Sequence, residues 1–279
     1  MHGNRRASED TETVNLIKSI PTAMRRMGWT VSAQLMERWL NSPAWVLPAE
    51  WKEQVTAPTV MPSPIFMDQQ IVRMSWALSY HRLQAVMKNL RPRITNQAAR
   101  SLLSEKTADV ELGVEWAPFG SRSYSAFRLD QLHQCNALPF GGHTDPLDDM
   151  YGSLGMGTLK VALIGEAKRD AHSGKVTIRT THAGYYIRDT YDFNGFQFLG
   201  AWTTDGILGA IQTPMPATSR GLYSYLVQQL PGPVFNHDFD TYRRFTGRGG
   251  DFIIYSDVLW EPVDMTLELD LPKRLDQVP

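Results

Sequence analysis

Cysteine is nearly absent: the 279-residue chain holds one, Cys135. A lone cysteine excludes an internal disulfide framework and a zinc site built from several thiolates. Long apolar runs are missing too. No stretch reaches the roughly 18 consecutive apolar residues that cross a bilayer, so no transmembrane helix is expected. Met1 to Asp10 is polar and no apolar segment follows, so the sequence predicts no signal peptide. The expectation is a chain made and folded in the cytoplasm of the producing cell, which only a dedicated machine would carry out. An excess of one charge is also lacking. Lys and Arg total 28 against 29 Asp and Glu, a formal net charge of -1. No basic stripe favours nucleic acid.

What is present is an ordinary globular composition, 42% hydrophobic and 20% charged. The length suits one large domain or two modest ones. The pattern predicts a disordered tail over 1–15, a mainly helical region over 16–145 and a β-rich region over 146–279. Ile20-Pro21 opens a helical stretch, with Pro21 suited to a first turn and Gly28 dividing it in two. Prolines 43, 48, 58, 62 and 64 preclude regular structure between them, while Trp45 and Trp51 suggest a loop that packs down. Asp68 is expected to cap a long core helix to Leu90, and Asn96 to Lys106 a further helix. Val110 to Trp116 reads as a strand and Pro139 to His143 as a turn.

The second half changes character. Leu159 to Lys168 and Lys175 to Thr181 read as strands joined by a hairpin at Asp170 to Gly174, with Tyr185 to Asp189 continuing as strand. Gln197 to Trp202, Phe252 to Val258 and Met265 to Leu269 read as further strands. Ser219 to Leu230 is amphipathic, with leucines 222, 226 and 230 in step. The sum is an α+β fold: a helical N-terminal half, then a mostly antiparallel sheet.

Three clusters carry candidate chemistry. The first is Asp189-Thr190-Tyr191-Asp192-Phe193-Asn194-Gly195. Its carboxylates repel unless a cation, a proton or a partner intervenes. In a strand, 189 and 191 share one face and 192 takes the other, so Asp189 and Asp192 converge only if the strand ends or bulges. Together they would hold a divalent cation or activate water. The plainer reading makes Asp192 a turn cap, pairs Asp189 with a base and puts Tyr191 in the core. The second cluster runs from Asn236-His237-Asp238 through Arg243 and Arg244 to Gly247-Arg248-Gly249-Gly250-Asp251. His, Arg and Asp are the usual base, clamp and ligand of phosphoryl chemistry. Its plainer reading is a capped helix and a glycine turn into a strand. The third, His143, Asp145, Asp148 and Asp149, has metal-binding groups, but an acidic loop with a helix cap explains it as well. His81 and His133 lie among apolar residues and read as structural.

The run Gly157-Thr158-Leu159-Lys160-Val161, followed by Asp189-Thr190-Tyr191-Asp192-Phe193-Asn194, resembles the catalytic domain of colicin M-type bacteriocins. The resemblance covers about residues 148–200. It implies a strongly twisted sheet or half-barrel, and hydrolysis of the lipid-linked peptidoglycan precursor lipid II between lipid and pyrophosphate, with Mg2+. It would make Asp189, Tyr191 and Asp192 catalytic, with Asp189 and Asp192 as metal ligands. That family continues with a His-Arg pair six and seven positions past the second Asp, where this chain has Phe198 and Leu199. His237 with Arg243 or Arg244 would then have to supply acid–base and clamping roles from another loop.

Ile20-Pro21, Met24-Arg25-Arg26-Met27-Gly28-Trp29, Met36-Glu37-Arg38-Trp39 and Gly247-Arg248-Gly249-Gly250-Asp251-Phe252 resemble a bacterial family encoded beside type VI secretion spike and PAAR components in Gram-negative bacteria. That resemblance implies an antibacterial effector delivered to a target periplasm, with spike or PAAR proteins or a cognate immunity protein as partners. The alternative is a non-enzymatic type VI adaptor, immunity or structural protein with a degenerate colicin M-like fold.

Overall fold

The computed structural model describes residues 2–53, 58, 62–108, 113–142, 144–193, 198–203, 206–207 and 232–270. In chain order the helices are α1 (His2–Arg26), α2 (Thr30–Asn41), α3 (Ala49–Lys52), α4 (Met74–Ala77), α5 (His81–Leu90), α6 (Gln97–Ala108), α7 (Ala126–Leu132), α8 (Asp149–Leu154) and α9 (Asn236–Thr246). The strands are β1 (Met67–Asp68), β2 (Ala117–Phe119), β3 (Gln134–Phe140), β4 (Gly157–Arg169), β5 (Val176–Tyr191), β6 (Phe198–Thr203), β7 (Gly206–Ile207), β8 (Pro233–Phe235), β9 (Phe252–Tyr255) and β10 (Leu259–Leu269). Helices thus dominate the first half and strands the second, as the sequence pattern predicts.

The spine is the long hairpin of β4 and β5, closed where the Gly174 amide donates to the Asp170 carbonyl. β3 and β2 follow one another along the free edge of β4, and β10 and β9 along that of β5. All these pairings are antiparallel. β1 adds a parallel pairing, on β9. The sheet curls into a half-barrel. Bulges between Ile164 and Gly165, and between Pro262 and Met265, bend its long strands. A second small sheet orders its strands β7-β6-β8.

Both faces of the large sheet are covered, so its central strands alternate between two cores rather than between core and water. Leu159, Val161, Leu163, Tyr185, Ile187, Tyr191, Phe252 and Ile254 join the main core with the helices α1, α2, α5 and α6. Ala162, Ile164, Tyr186, Ile253 and Tyr255 face the other way, onto Phe127 and Leu129 of α7 and onto Leu47.

Several local expectations change. Helix α1 extends back to His2, so Pro21 lies inside the helix rather than in its first turn. Val14, Ile17, Ile20 and Met24 bury one continuous stripe on either side of Pro21, which holds the helix together across the proline. The chain does break at Gly28, which takes φ +78°, a conformation that favours glycine. The long helix expected from Asp68 is two helices, α4 and α5. Asp68 ends β1, and its carboxylate accepts from the amides of Gln70 and Ile71 in the turn that follows. Of the strand expected at Val110 to Trp116, residues 110–112 lie outside the described residues and 113–116 are not in a strand, while β2 follows at 117–119. The 219–230 amphipathic stretch, His143, Asn194 and Gly195 lie outside them too.

Candidate functional site

Antiparallel pairing sets Tyr191 at the end of β5 opposite Phe252 at the start of β9. Asp192 and Asp251 are the next residues outward on the two strands. The acidic motif and the glycine-rich turn, 60 residues apart in sequence, therefore meet at one end of the sheet. Two carboxylates here need compensating charge. Lys52, at the end of α3, supplies it to Asp192 through an ion pair of 3.0 Å. Arg243 supplies it to Asp251 at 2.7 Å.

The surroundings of the two carboxylates differ. Asp192 is partly exposed, and Thr190 donates its hydroxyl to it at 2.9 Å. Asp251 is fully buried and also accepts from the Trp39 indole at 2.9 Å and from the Leu47 amide at 3.1 Å. Burial raises the Asp251 pKa, and the charge of Asp192 raises it further, against these donors. The turn that delivers Asp251 needs glycine. Gly249 takes φ +98°, and a Cβ there would come within 2.5 Å of the Trp39 ring. Arg243 is held from three sides. Besides Asp251, it donates to the Gly249 carbonyl at 2.7 Å and to Asp240 at 2.8 Å.

The remaining expected site residues are placed elsewhere. Asp189 follows Ile187 and precedes Tyr191 on the main-core face of β5, and is 4% exposed. Its carboxylate accepts from the Thr190 amide at 2.8 Å. The Thr190–Asp192 bond keeps Asp192 on the face of Thr190, so Asp189 and Asp192 diverge across the sheet instead of converging on one cation. The strand runs regularly to Tyr191, so no bulge brings them together. Tyr191 is buried, packed 5.4 Å from Phe252 and 5.3 Å from Phe193. His237 stacks on Phe235 and its side chain is 62% exposed. Among the described residues Arg244 bonds only along its own helix, to Asp240 and Thr241. Positions 237 and 244 differ by nearly two turns and share the solvent face of α9, turned away from Arg243. The structure thus assembles Asp192, Asp251 and Arg243, and leaves His237 and Arg244 outside. Among the described residues no group of three His, Cys, Asp or Glu side chains is placed to hold a metal ion.

The third cluster is structural. Asp149 accepts from the amides of Val31 and Ser32 at 3.0 and 2.8 Å and so caps α2 from outside. Asp148 caps α8 through the Tyr151 amide and, with Asp145, pairs with Arg82.

Sequence reasoning passed over a second charged centre, on the other face of the sheet. Asp130 of α7 accepts from Lys160 at 2.8 Å, from Tyr186 at 3.0 Å and from Tyr255 at 2.7 Å. Arg188 stands 3.9 Å from the same carboxylate. It also donates to the Trp51 and Glu53 carbonyls, which fixes the segment carrying Lys52. The available signal was charge inside an apolar strand: Lys160 between Leu159 and Val161, and Arg188 beside Ile187.

The DUF6402 family, described as a family of unknown function, matches residues 16–271. The chain belongs to the DUF6402 family. The match takes in both the helical half and the sheet, so Asp192 and Asp251 lie within the DUF6402 region. No curated protein and no solved structure matches the chain.

Proposed function

We propose that this DUF6402 protein is an interbacterial effector, loaded from the cytoplasm by type VI secretion, that hydrolyses a lipid-linked pyrophosphate of the peptidoglycan precursor class. The observation that carries the catalytic part is the pair Asp192 and Asp251, the next residues past the last β5–β9 pairing, between Lys52 and Arg243. Burial pushes the Asp251 carboxyl up, and a raised carboxyl beside a second one is a way for one site to supply an acid. Asp192, the partly exposed and ion-paired member, is the base that activates water or the ligand for Mg2+. Asp251 is the member biased toward its protonated form. Lys52 lies where it would clamp a phosphate oxygen, and charge stabilisation of that kind is the largest contribution in phosphoryl transfer. Arg243 positions Asp251 rather than touching substrate. Type VI delivery rests on the resemblance of the 20–39 and 247–252 motifs, and the lipid II class on that of the 157–194 run.

The test is expression in a susceptible Gram-negative bacterium with and without a periplasmic export signal, alongside hydrolysis of purified lipid II with and without Mg2+. Lysis on periplasmic expression, lost in Asp192→Asn, is expected. Equal harmlessness in both compartments, with lipid II left intact, would overturn the proposal.

A second reading, a non-enzymatic type VI adaptor or immunity protein, is favoured by one specific observation. Arg243 directs its donors at Gly249, Asp240 and Asp251, as a structural residue does. Stable copurification with a spike or PAAR protein, without hydrolysis, would select it.

A further inference from the structure

Lys52 is the last residue of α3, a single turn of four residues, none of them buried. A turn that short has no cooperative stability of its own, so Lys52 is held against Asp192 from outside the helix. The Trp51 ring packs against the second core. Arg188 grips the backbone. Its Nη2 donates to the Trp51 carbonyl at 3.0 Å and its Nη1 to the Glu53 carbonyl, so one guanidinium spans both sides of Lys52. Carbonyls at a helix end lack intrahelical partners, which suits them to a cation. Arg188 is itself fixed from behind. It is fully buried, and its Nε donates to the Tyr255 hydroxyl at 3.1 Å. That hydroxyl donates in turn to Asp130 at 2.7 Å. A hydroxyl has one proton, so the one that serves Asp130 can only accept from Arg188. The direction of the guanidinium fork follows.

We infer that Arg188 is a positioning residue, which holds Lys52 on Asp192 and is oriented by Tyr255. Positions 188 and 192 lie about 13 Å apart along an extended chain, too far for direct contact. The effect on Asp192 therefore passes through the 51–53 backbone and the Lys52 amine, 3.0 Å from the carboxylate. The shape of the arginine matters as well as its charge. A lysine at 188 would keep a cation near Asp130 but has no planar fork to span two carbonyls. Tyr186 is the internal comparison. It also donates to Asp130, at 3.0 Å, and no hydrogen bond joins it to Arg188 among the described residues. That Lys52 goes on to clamp a phosphate rests on the hydrolase reading. Its placement by Arg188 does not.

The experiment is acetylation of the intact protein by N-acetoxysuccinimide at one fixed pH. Mass spectrometry reads the rate at Lys52, normalised to the exposed Lys88 of α5. An amine held in an ion pair attacks the reagent more slowly. Asp192→Asn removes the partner and sets the rate of a released Lys52, about two- to fivefold above the parent for a part-exposed pair. Arg188→Lys is expected to reach that rate. Tyr255→Phe is expected to rise part of the way, and Tyr186→Phe to stay at the parent rate. A merely structural role gives a different pattern. Each phenylalanine variant takes one hydroxyl from Asp130, so the two would act alike, and Arg188→Lys, which keeps the charge, would match the parent. Either result overturns the inference, and the tyrosine pair decides it even where Arg188→Lys does not fold. Lipid II hydrolysis is read separately. The expected labelling pattern without hydrolysis leaves the positioning in place and removes only the clamp. Hydrolysis without that pattern removes the positioning.

Discussion

Lys160 donates to Asp130 at 2.8 Å in a place where neither side chain reaches water. Strand β4 carries the amine and helix α7 the carboxylate, so the pair ties a helix to the second face of the sheet. Tyr186, Tyr255 and Arg188 complete the carboxylate's surroundings. Burial pushes the Lys160 amine down to about 8, against the pull of Asp130. A buried pair of this kind is weak support for net stability, yet breaking it is expensive, because one charge is then left unpaired.

Asp130→Ala is therefore expected to destabilise the protein by about 3–5 kcal/mol. Chemical denaturation of the parent and variant measures this. Asp130→Asn keeps the shape and some acceptors, and should retain part of the loss. A cost below about 0.5 kcal/mol, the range of an ordinary surface change, would contradict the structure.

Arg243 and Arg244 are sequence neighbours with opposite expected behaviour. Arg243→Ala leaves the buried Asp251 carboxyl and the Gly249 carbonyl without this donor and should cost about 2–5 kcal/mol. Arg244→Ala removes only exposed contacts along α9 and should stay within about 0.5 kcal/mol. Urea titrations of both variants give the comparison. If the two losses are equal, the burial of Arg243 is not as described.

The hairpin of β4 and β5, helix α6 and the break at Gly28 were legible because each is written in local pattern: two strand-like runs around a turn, a helical run from Asn96, a glycine inside an apolar helical stretch. The meeting of Asp192 with Asp251 was not, since it depends on β9 pairing with the end of β5 across 60 intervening residues. The expected convergence of Asp189 with Asp192 treated the strand end as a turn, but pairing with β9 keeps the strand regular through Tyr191. The Asp130 centre was hidden for another reason. With both faces of β4 and β5 covered, an inward lysine or arginine cannot be told from an outward one by alternation alone. His237 and Arg244 drew attention by residue type, and only the helix phase of α9 turns them outward.

Asp149 offers a test of long-range capping. Its carboxylate satisfies two orphan amides at the start of α2 from more than 100 residues away, and Ser32 donates its hydroxyl to it as well. Caps cost about 0.5–2 kcal/mol when lost, and a buried unsatisfied donor adds to that. Asp149→Ala should therefore lose about 2–3 kcal/mol. Hydrogen exchange at Val31 and Ser32 is expected to accelerate. Unchanged protection at those two amides would argue that the cap is not formed in solution.

His133 gives the pH dependence. It packs edge-on to Phe119 at 4.5 Å, and its Nδ1 is buried without a partner among the described residues. Burial, with Lys106 and Arg128 nearby, pushes its pKa down to about 4. In the unfolded chain the ordinary value is about 6.5. Above that, the ring is neutral in both states and the folded protein carries no penalty. Between 6.5 and 4 the unfolded chain takes up a proton that the folded one refuses, so stability falls as pH falls. The slope from this one group approaches about 1.4 kcal/mol per pH unit. Most acidic groups begin to titrate lower, which makes pH 6.5 to 5 the window to measure. His133→Phe keeps an aromatic ring against Phe119 and removes the proton site. Denaturation midpoints of parent and variant should run parallel above pH 7 and diverge below 6.5, with the variant the more stable. Parallel curves down to pH 5 would show that His133 is solvated in the native state.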